Sequence, residues 1–232
     1  MDRPYPSAGR HRPCALAGSL LILALALPNP AWPGHTQLSP PEPSPRTPLM
    51  LAQLAPVGNV EAVIGTFVVR RADGRVDEVK GKSPLPLFEG DECRTERASK
   101  AYIRLADGTQ IAINEETTFV IRARTERGRG VIRIFKLLIG EMWFKTTQPR
   151  PLEIETPVAI AAIKGTEFNL KVIADGRSLL TVIEGVVEFG TPFGTCPIPR
   201  STQSLGERGK RCTRPVPVDT APAVAWIADV VR

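Results

Sequence analysis

The sequence predicts an all-β fold, antiparallel and built as a sandwich or a barrel, and three observations carry that expectation. The apolar runs are short and rich in Val, Ile and Thr, while aromatic residues make up only 6% of the chain. Glycines break those runs at intervals of roughly eight to twelve residues, the rhythm of strands joined by turns. Three Asp-Gly dipeptides, at 73–74, 107–108 and 175–176, stand between apolar stretches, and this pair supplies the positive φ angles of a tight hairpin turn.

The chain divides by composition into four parts. Residues 1–31 read as a signal peptide, because Arg3, Arg10, His11 and Arg12 precede an apolar run from Cys14 to Leu27. The run is shorter than the about 20 apolar residues that a membrane helix needs, and Pro28, Pro30 and Pro33 end it, so no permanent membrane span is expected. Cys14 lies before that run, badly placed to carry a lipid. Residues 32–56 form a proline-rich linker around PPEPSPRTP, extended because it has neither ladder donors nor a core to bury. Residues 57–190 form the β-domain, and residues 191–232 read as a cysteine-containing loop and tail.

Within the β-domain each element has a local reason. Val60 to Ile64 and Phe67 to Val69 flank Gly65, and Asp73-Gly74 turns the chain back into Val76 to Lys80. SPLPLFEGD at 83–91 holds two prolines, which suits an edge or an irregular crossing. Ala101, Ile103 and Leu105 alternate with Tyr102, Arg104 and Ala106, and Asp107-Gly108 returns the chain through Ile111 and Ile113. Strands at Phe119 to Arg124 and Val131 to Phe135 surround the Gly128–Gly130 turn, and Leu137 to Lys145 adds another. Pro157 and Gly165 predict a strand that starts at the proline and bulges at the glycine. Glu167 to Ile173 and Leu179 to Glu184 then form a hairpin around Asp175-Gly176. An apolar pair, a glycine and an apolar strand recur at Gly65, Gly140 and Gly185, which predicts successive strands passing one kind of corner. The spacing is too irregular for a regular array, so a short solenoid-like stack stands as the alternative to the sandwich. Val224, Ile227 and Val231, spaced three and four apart, predict a short C-terminal helix laid on the domain.

The chemistry is sparse. Both histidines, His11 and His35, precede the β-domain, so a serine or cysteine nucleophile there has no imidazole to activate it, and no catalytic residue is expected. Carboxylates at Glu115, Glu116, Glu153 and Glu155 are abundant, and charged residues on strands and turns ordinarily form a solvated face. GKS at 81–83 is no phosphate loop, since Val76 stands where that motif needs glycine and Pro84 and Pro86 follow where it needs a helix. Without C-x-x-C or a histidine in the domain, neither a metal site nor a cofactor is expected. Cys196 and Cys212 of an exported chain are expected to pair as a disulfide, leaving Cys93 to pack as a small apolar residue.

The formal charge is +6, and residues 1–55 hold four basic and two acidic side chains, leaving 26 against 22 in the remainder. So diffuse an excess predicts no nucleic-acid partner. Arg122, Arg124, Arg127, Arg129 and Arg133 gather near one turn, and Arg208, Lys210, Arg211 and Arg214 gather in the last segment. Joined in space, they would suit an acidic polymer; apart, they keep a surface soluble.

The ordered blocks GNVEAVIGTFVVRRADG (58–74), LPLFEGDECRTERASKAYIRLADGTQIAI (85–113), LLIGEMWF (137–144), ETPVAIAAIKGTEFNLKV (155–172) and TVIEGVVEF (181–189) resemble the FecR domain family. The structural signature of that resemblance is Gly90-Asp91, Asp107-Gly108, Thr156-Pro157 and the Gly165, Thr166, Phe168 block. The likeness implies a periplasmic, jelly-roll-like β-domain, found in regulators that relay occupancy of an outer-membrane iron-siderophore receptor to an anti-sigma segment. This chain departs from such regulators in showing no cytoplasmic helical segment, no full membrane span and no receptor-contacting domain after the β core. The expected function is therefore an exported, periplasmic or secreted, non-enzymatic binding or signalling module for an envelope protein or cell-wall polymer. The alternatives are a membrane-anchored regulator of iron uptake and a carbohydrate or peptidoglycan binder using Tyr102 and Trp143.

Overall fold

The computed structural model describes residues 55–128, 130–146, 152–163 and 165–231. The signal-peptide segment and nearly all of the proline-rich linker lie outside the described residues. The rest is an all-β fold of sixteen strands in one continuous sheet, antiparallel except for one pair, with a short C-terminal helix.

The first half closes on itself. β1 (Gly58–Arg70), β2 (Val76–Gly81), β3 (Leu85–Leu87), β4 (Glu92–Thr95), β5 (Lys100–Leu105), β6 (Gln110–Ile113), β7 (Thr118–Glu126) and β8 (Gly130–Lys145) follow in order. The pairing runs β8-β6-β5-β1-β4-β7 and returns from β7 to β8, so six strands make a closed barrel and no edge remains among them. β2 and β3 flank β1 from outside, and β3 is the proline-bearing edge that its sequence predicts.

The second half grows from the same long strand. Along its N-terminal part β8 pairs in parallel with β9 (Leu152–Glu155), which leads through β10 (Ile160–Ile163) and β13 (Val186–Thr191) to β14 (Gly194–Pro199). Along its C-terminal part β8 pairs with β11 (Glu167–Val172), which leads through β12 (Ser178–Glu184) and β15 (Thr202–Gly206) to β16 (Val216–Pro217). Inward residues of both halves share one core, with Phe119, Phe135, Phe144 and Phe168 in a chain of ring contacts and Phe144 stacked on Phe168 at 5.1 Å.

The recurring glycines are corners where a strand changes partners. β1 pairs with β5 before Gly65 and with β4 after it, and β8 leaves β7 for β6 and β11 around Gly140. At Gly140 φ is +101°, and a Cβ there would sit 2.2 Å from Thr117 Oγ1 and 2.4 Å from its Cα. Only glycine fits that contact. The neighbouring Glu141 N–H donates to the same Thr117 oxygen at 3.0 Å. Gly65 repeats the arrangement under Ser99, whose Oγ accepts the Thr66 N–H at 2.9 Å, and Gly185 lies under Thr166. At Gly65 and Gly140 a buried hydroxyl thus stands in for a ladder partner where the sheet turns.

Four expectations need correction. Val131 to Phe135 and Leu137 to Lys145 are one strand, because Gly140 bends β8 without ending it. The strand after Pro157 starts only at Ile160, since Thr156 Oγ1 accepts the Ala159 N–H at 2.9 Å and folds Thr156–Ala159 into a turn. Gly165 is a corner between β10 and β11 rather than a bulge within one strand. The stretch after Gly190, expected as a loop, extends β13 and forms β14 and β15; Pro197 and Pro199 sit on β14 at the sheet's edge, where a missing N–H costs no ladder bond. The short C-terminal helix is present as expected, as a single α turn, Ala221–Val224, followed by a 3₁₀ helix, Ala225–Asp229. Its three-residue repeat buries Ile227 and Val230 where a 3.6-residue repeat would have buried Val231.

Candidate interaction surface

The signature residues serve the fold. Asp91 is fully buried, and its Oδ2 accepts from Arg71 Nη1 at 2.7 Å and from the Phe88 N–H at 2.8 Å. Arg71 also reaches Asp77 at 2.6 Å and the Pro86 carbonyl at 2.9 Å, and lies over the Phe88 ring. Burial alone would lower the Arg71 pKa, and its bonds and charge contacts to Asp77 and Asp91 reverse that and raise it. Gly90, at φ +92°, sets the turn into this clamp. Asp107 accepts from the Thr109 N–H at 2.9 Å and from Arg133 at 2.9 Å, which fixes the hairpin at Gly108. Thr156 and Pro157 form the turn before β10, Gly165 and Thr166 form a corner, and Phe168 is a core ring.

Two of the turns are near copies. Asp73 takes the Arg75 N–H and Nε at 3.0 and 2.7 Å, and Asp175 takes the Arg177 N–H and Nε at the same distances. The backbone bonds are the main reason that both carboxyls fall below their ordinary pKa.

The cysteines divide as expected. Cys196 and Cys212 form a disulfide with a Cα–Cα distance of 6.3 Å, tying β14 to the segment after β15. Cys93 is buried in the core, and burial pushes its thiol well above the usual range. Among the described residues no three His, Cys, Asp or Glu side chains gather as a metal site. The carboxylates named from the sequence scatter: Glu115 accepts the Ala98 N–H, Glu116 occupies a left-handed corner, and Glu153 pairs with Arg124. Of the cationic groups, Arg124 and Arg133 are held in ion pairs, Lys210 pairs with Glu207 and Arg211 braces the Thr195 carbonyl; Arg129 lies outside the described residues. Tyr102 and Trp143 are no platforms, because the C-terminal segment covers both to 5% exposure.

What the sheet leaves open is its outer face across β8, β9, β10, β13 and β14. Cross-strand register aligns Lys136, Glu155, Ile160, Gly190 and Thr195 in one row and Glu153, Ala162, Glu188 and Pro197 in the next. The inward alternates Phe135, Ile154, Ala161 and Phe189 are core residues, so these rows point outward. Ala162 and Gly190 leave a trough floored by Ile160, a large apolar side chain 44% exposed, and walled by Pro157 and Pro192. The cavity measures about 720 Å³ and carries two carboxylates, Glu155 and Glu188, against one ammonium, Lys136. Such a trough accommodates an extended chain with an apolar and a basic side chain.

The architecture is a closed barrel continued by a second sheeted half. Residues 91–188, from the buried Asp91 to Glu188 of the trough, match the family model described as FecR protein. The fold is similar to two crystal structures of a candidate anti-sigma factor from Parabacteroides distasonis ATCC 8503, each at 23% identity and a TM-score of 0.50. The match covers 59% of this chain and 64% or 63% of theirs, so this chain spans less than two thirds of their length. At that identity the likeness establishes the fold. No curated protein matches the chain. Among the described residues no helix is long and apolar enough to cross a membrane.

Proposed function

We propose that the protein is an exported, non-catalytic FecR-type module that binds an envelope protein through the trough on β9, β10 and β13. The observation that carries this reading is the double row of outward residues, in which small side chains open an apolar floor between two carboxylates. Its occupant is an extended segment bearing an aliphatic residue over Ile160 and a basic residue between Glu155 and Glu188. Export is supported by the basic-then-apolar pattern of residues 1–31 and by the disulfide, a bond that persists in oxidising compartments. Residues 32–56 would space the domain from whatever precedes it. The test is a photo-crosslinking amino acid placed at Ile160 in cells, with a control at Val76, exposed on β2. A discrete adduct at Ile160 and none at Val76 is expected; equal labelling, or no adduct, overturns the reading.

A regulatory relay is the second reading, favoured by the FecR-family match and by the likeness to a candidate anti-sigma factor. It requires an anchor, so sequencing the N-terminus of the exported protein decides it. A start near Trp32 removes the anchor, and retention of residues 1–27 keeps it.

A further inference from the structure

The second outer face of the molecule is covered by the chain itself. Tyr102 on β5, Ala112 on β6 and Trp143 on β8 form a small apolar cluster separate from the main core, closed by Ile227 and Val230 of the C-terminal segment. Lys100 adds an ion pair to Asp229 and a hydrogen bond to the Trp226 carbonyl at 3.3 Å. The cover is slight. The α turn buries no residue and has no side-chain cap, and the 3₁₀ helix buries Ile227 alone. Nine helical residues fall below the roughly 12–15 at which an isolated helix becomes even marginal in water.

The face beneath is built for more than this cover uses. Two open depressions, about 510 and 420 Å³, lie where the segment meets the sheet, one beside Trp143, Lys145 and Glu167, the other beside Glu61, Tyr102 and Arg104. Trp143 donates to Glu167 at 3.2 Å and Tyr102 to Gln110 at 2.9 Å, so the apolar patch has a polar rim. Asn169 pairs across strands with Trp143 and so shares its face; it is buried, with its Oδ1 unpartnered. A buried acceptor without a donor costs free energy unless a ligand or water supplies one. The covering segment also lies outside residues 91–188, which match the FecR model.

We infer that the Tyr102–Trp143 face is a docking site for a partner's short helical segment, and that residues 221–231 occupy it in cis as a displaceable strap. The partner segment carries bulky aliphatic residues three positions apart, as Ile227 and Val230 are, with a carboxylate between them for Lys100. Tethering gives the strap an effective concentration of order millimolar, so the partner binds only when it out-competes the strap or when the strap is loosened. This inference stands on a different face from the trough and does not depend on it.

The probe is a fluorescein-labelled peptide of residues 219–232, followed by anisotropy on the full chain. The Ile227→Ser/Val230→Ser double variant of the full chain is expected to bind the peptide at least tenfold more tightly than the wild type, with a melting temperature lowered by only a few degrees. Lys100→Glu in that background weakens binding at least fivefold, and a peptide carrying Asp229→Lys restores it. The inference is overturned if the double variant binds no better than wild type, or if the charge swap fails to rescue. A fall in melting temperature beyond about 10 °C would make the segment an integral part of the fold and overturn it equally. Concentration-dependent dimers of the wild type that vanish in the double variant would assign the face to a second copy in place of a partner.

Discussion

The corners and the trough are built by opposite rules. At the corner of Gly140 the chain has no latitude, because backbone conformation, the Thr117 contact and a hydrogen bond all converge on one residue. In the trough, Glu155, Ile160 and Glu188 touch solvent, and their identities are set by nothing in the core. The difference shows that most of the signature residues hold the scaffold, with Thr156 and Pro157 also lining the trough, while the carboxylates and the apolar floor available for recognition are not among them.

Gly140→Val should break the scaffold side of that comparison most severely. It forces a branched side chain into Thr117 at positive φ, and a loss of roughly 4 kcal/mol or more is expected by urea denaturation. Asp91→Ala comes next. Removing this carboxylate leaves Arg71, largely buried, with one acidic partner and the Phe88 N–H with none, for a loss of about 3 kcal/mol. Gly165→Val sharpens the comparison from within the signature. Its φ is +65°, yet a Cβ there would meet nothing within 4 Å, so only the backbone penalty of about 1–2 kcal/mol is expected. A loss as large as that of Gly140→Val would show that Gly165 is packed as tightly as the other corners.

Much of the scaffold was legible because its cues are local. Each Asp-Gly pair marked a real hairpin, and the glycine corners showed in the sequence as an apolar pair before Gly65 and Gly140, and one residue further back at Gly185. The hydroxyls that complete those corners did not show, since Ser99 lies 34 residues from Gly65 and Thr117 lies 23 from Gly140. The continuity of β8 was hidden for the same reason: four partners at long range hold it extended through a glycine that reads locally as a break. Pro197 and Pro199 read as loop residues because sequence does not reveal that their strand is an edge. The trough was illegible altogether, as its rows draw on five strands between residues 136 and 197. Glu153 and Glu155 were visible as carboxylates on a strand, and nothing local distinguished the one bound to Arg124 from the one facing the trough.

The smallest expected effect is electrostatic. Asp73 and Asp175 have carboxyl pKa values lowered in the folded state, so their contribution is present above the unfolded carboxylate pKa of about 3.9 and is lost as pH falls through the folded value. Asp175→Asn should therefore remove that small contribution at neutral pH and flatten the acid limb, so that the variant lies slightly below the wild type at pH 7 and converges with it as pH falls below about 4. Thermal melts between pH 2 and 7 check this; a difference from wild type that stays the same size from pH 7 to pH 2 would place the turn's contribution elsewhere.

The most direct measurement compares one variant from each region for melting temperature and for retention of the partner that crosslinks at Ile160. Glu155→Lys/Glu188→Lys should melt with the wild type and lose the partner, while Gly165→Val should melt lower and, at a temperature where it is folded, keep it. The opposite pattern, with partner binding intact in the charge-reversed trough and lost in the folded Gly165 variant, would contradict the account and move the contact surface to the signature residues.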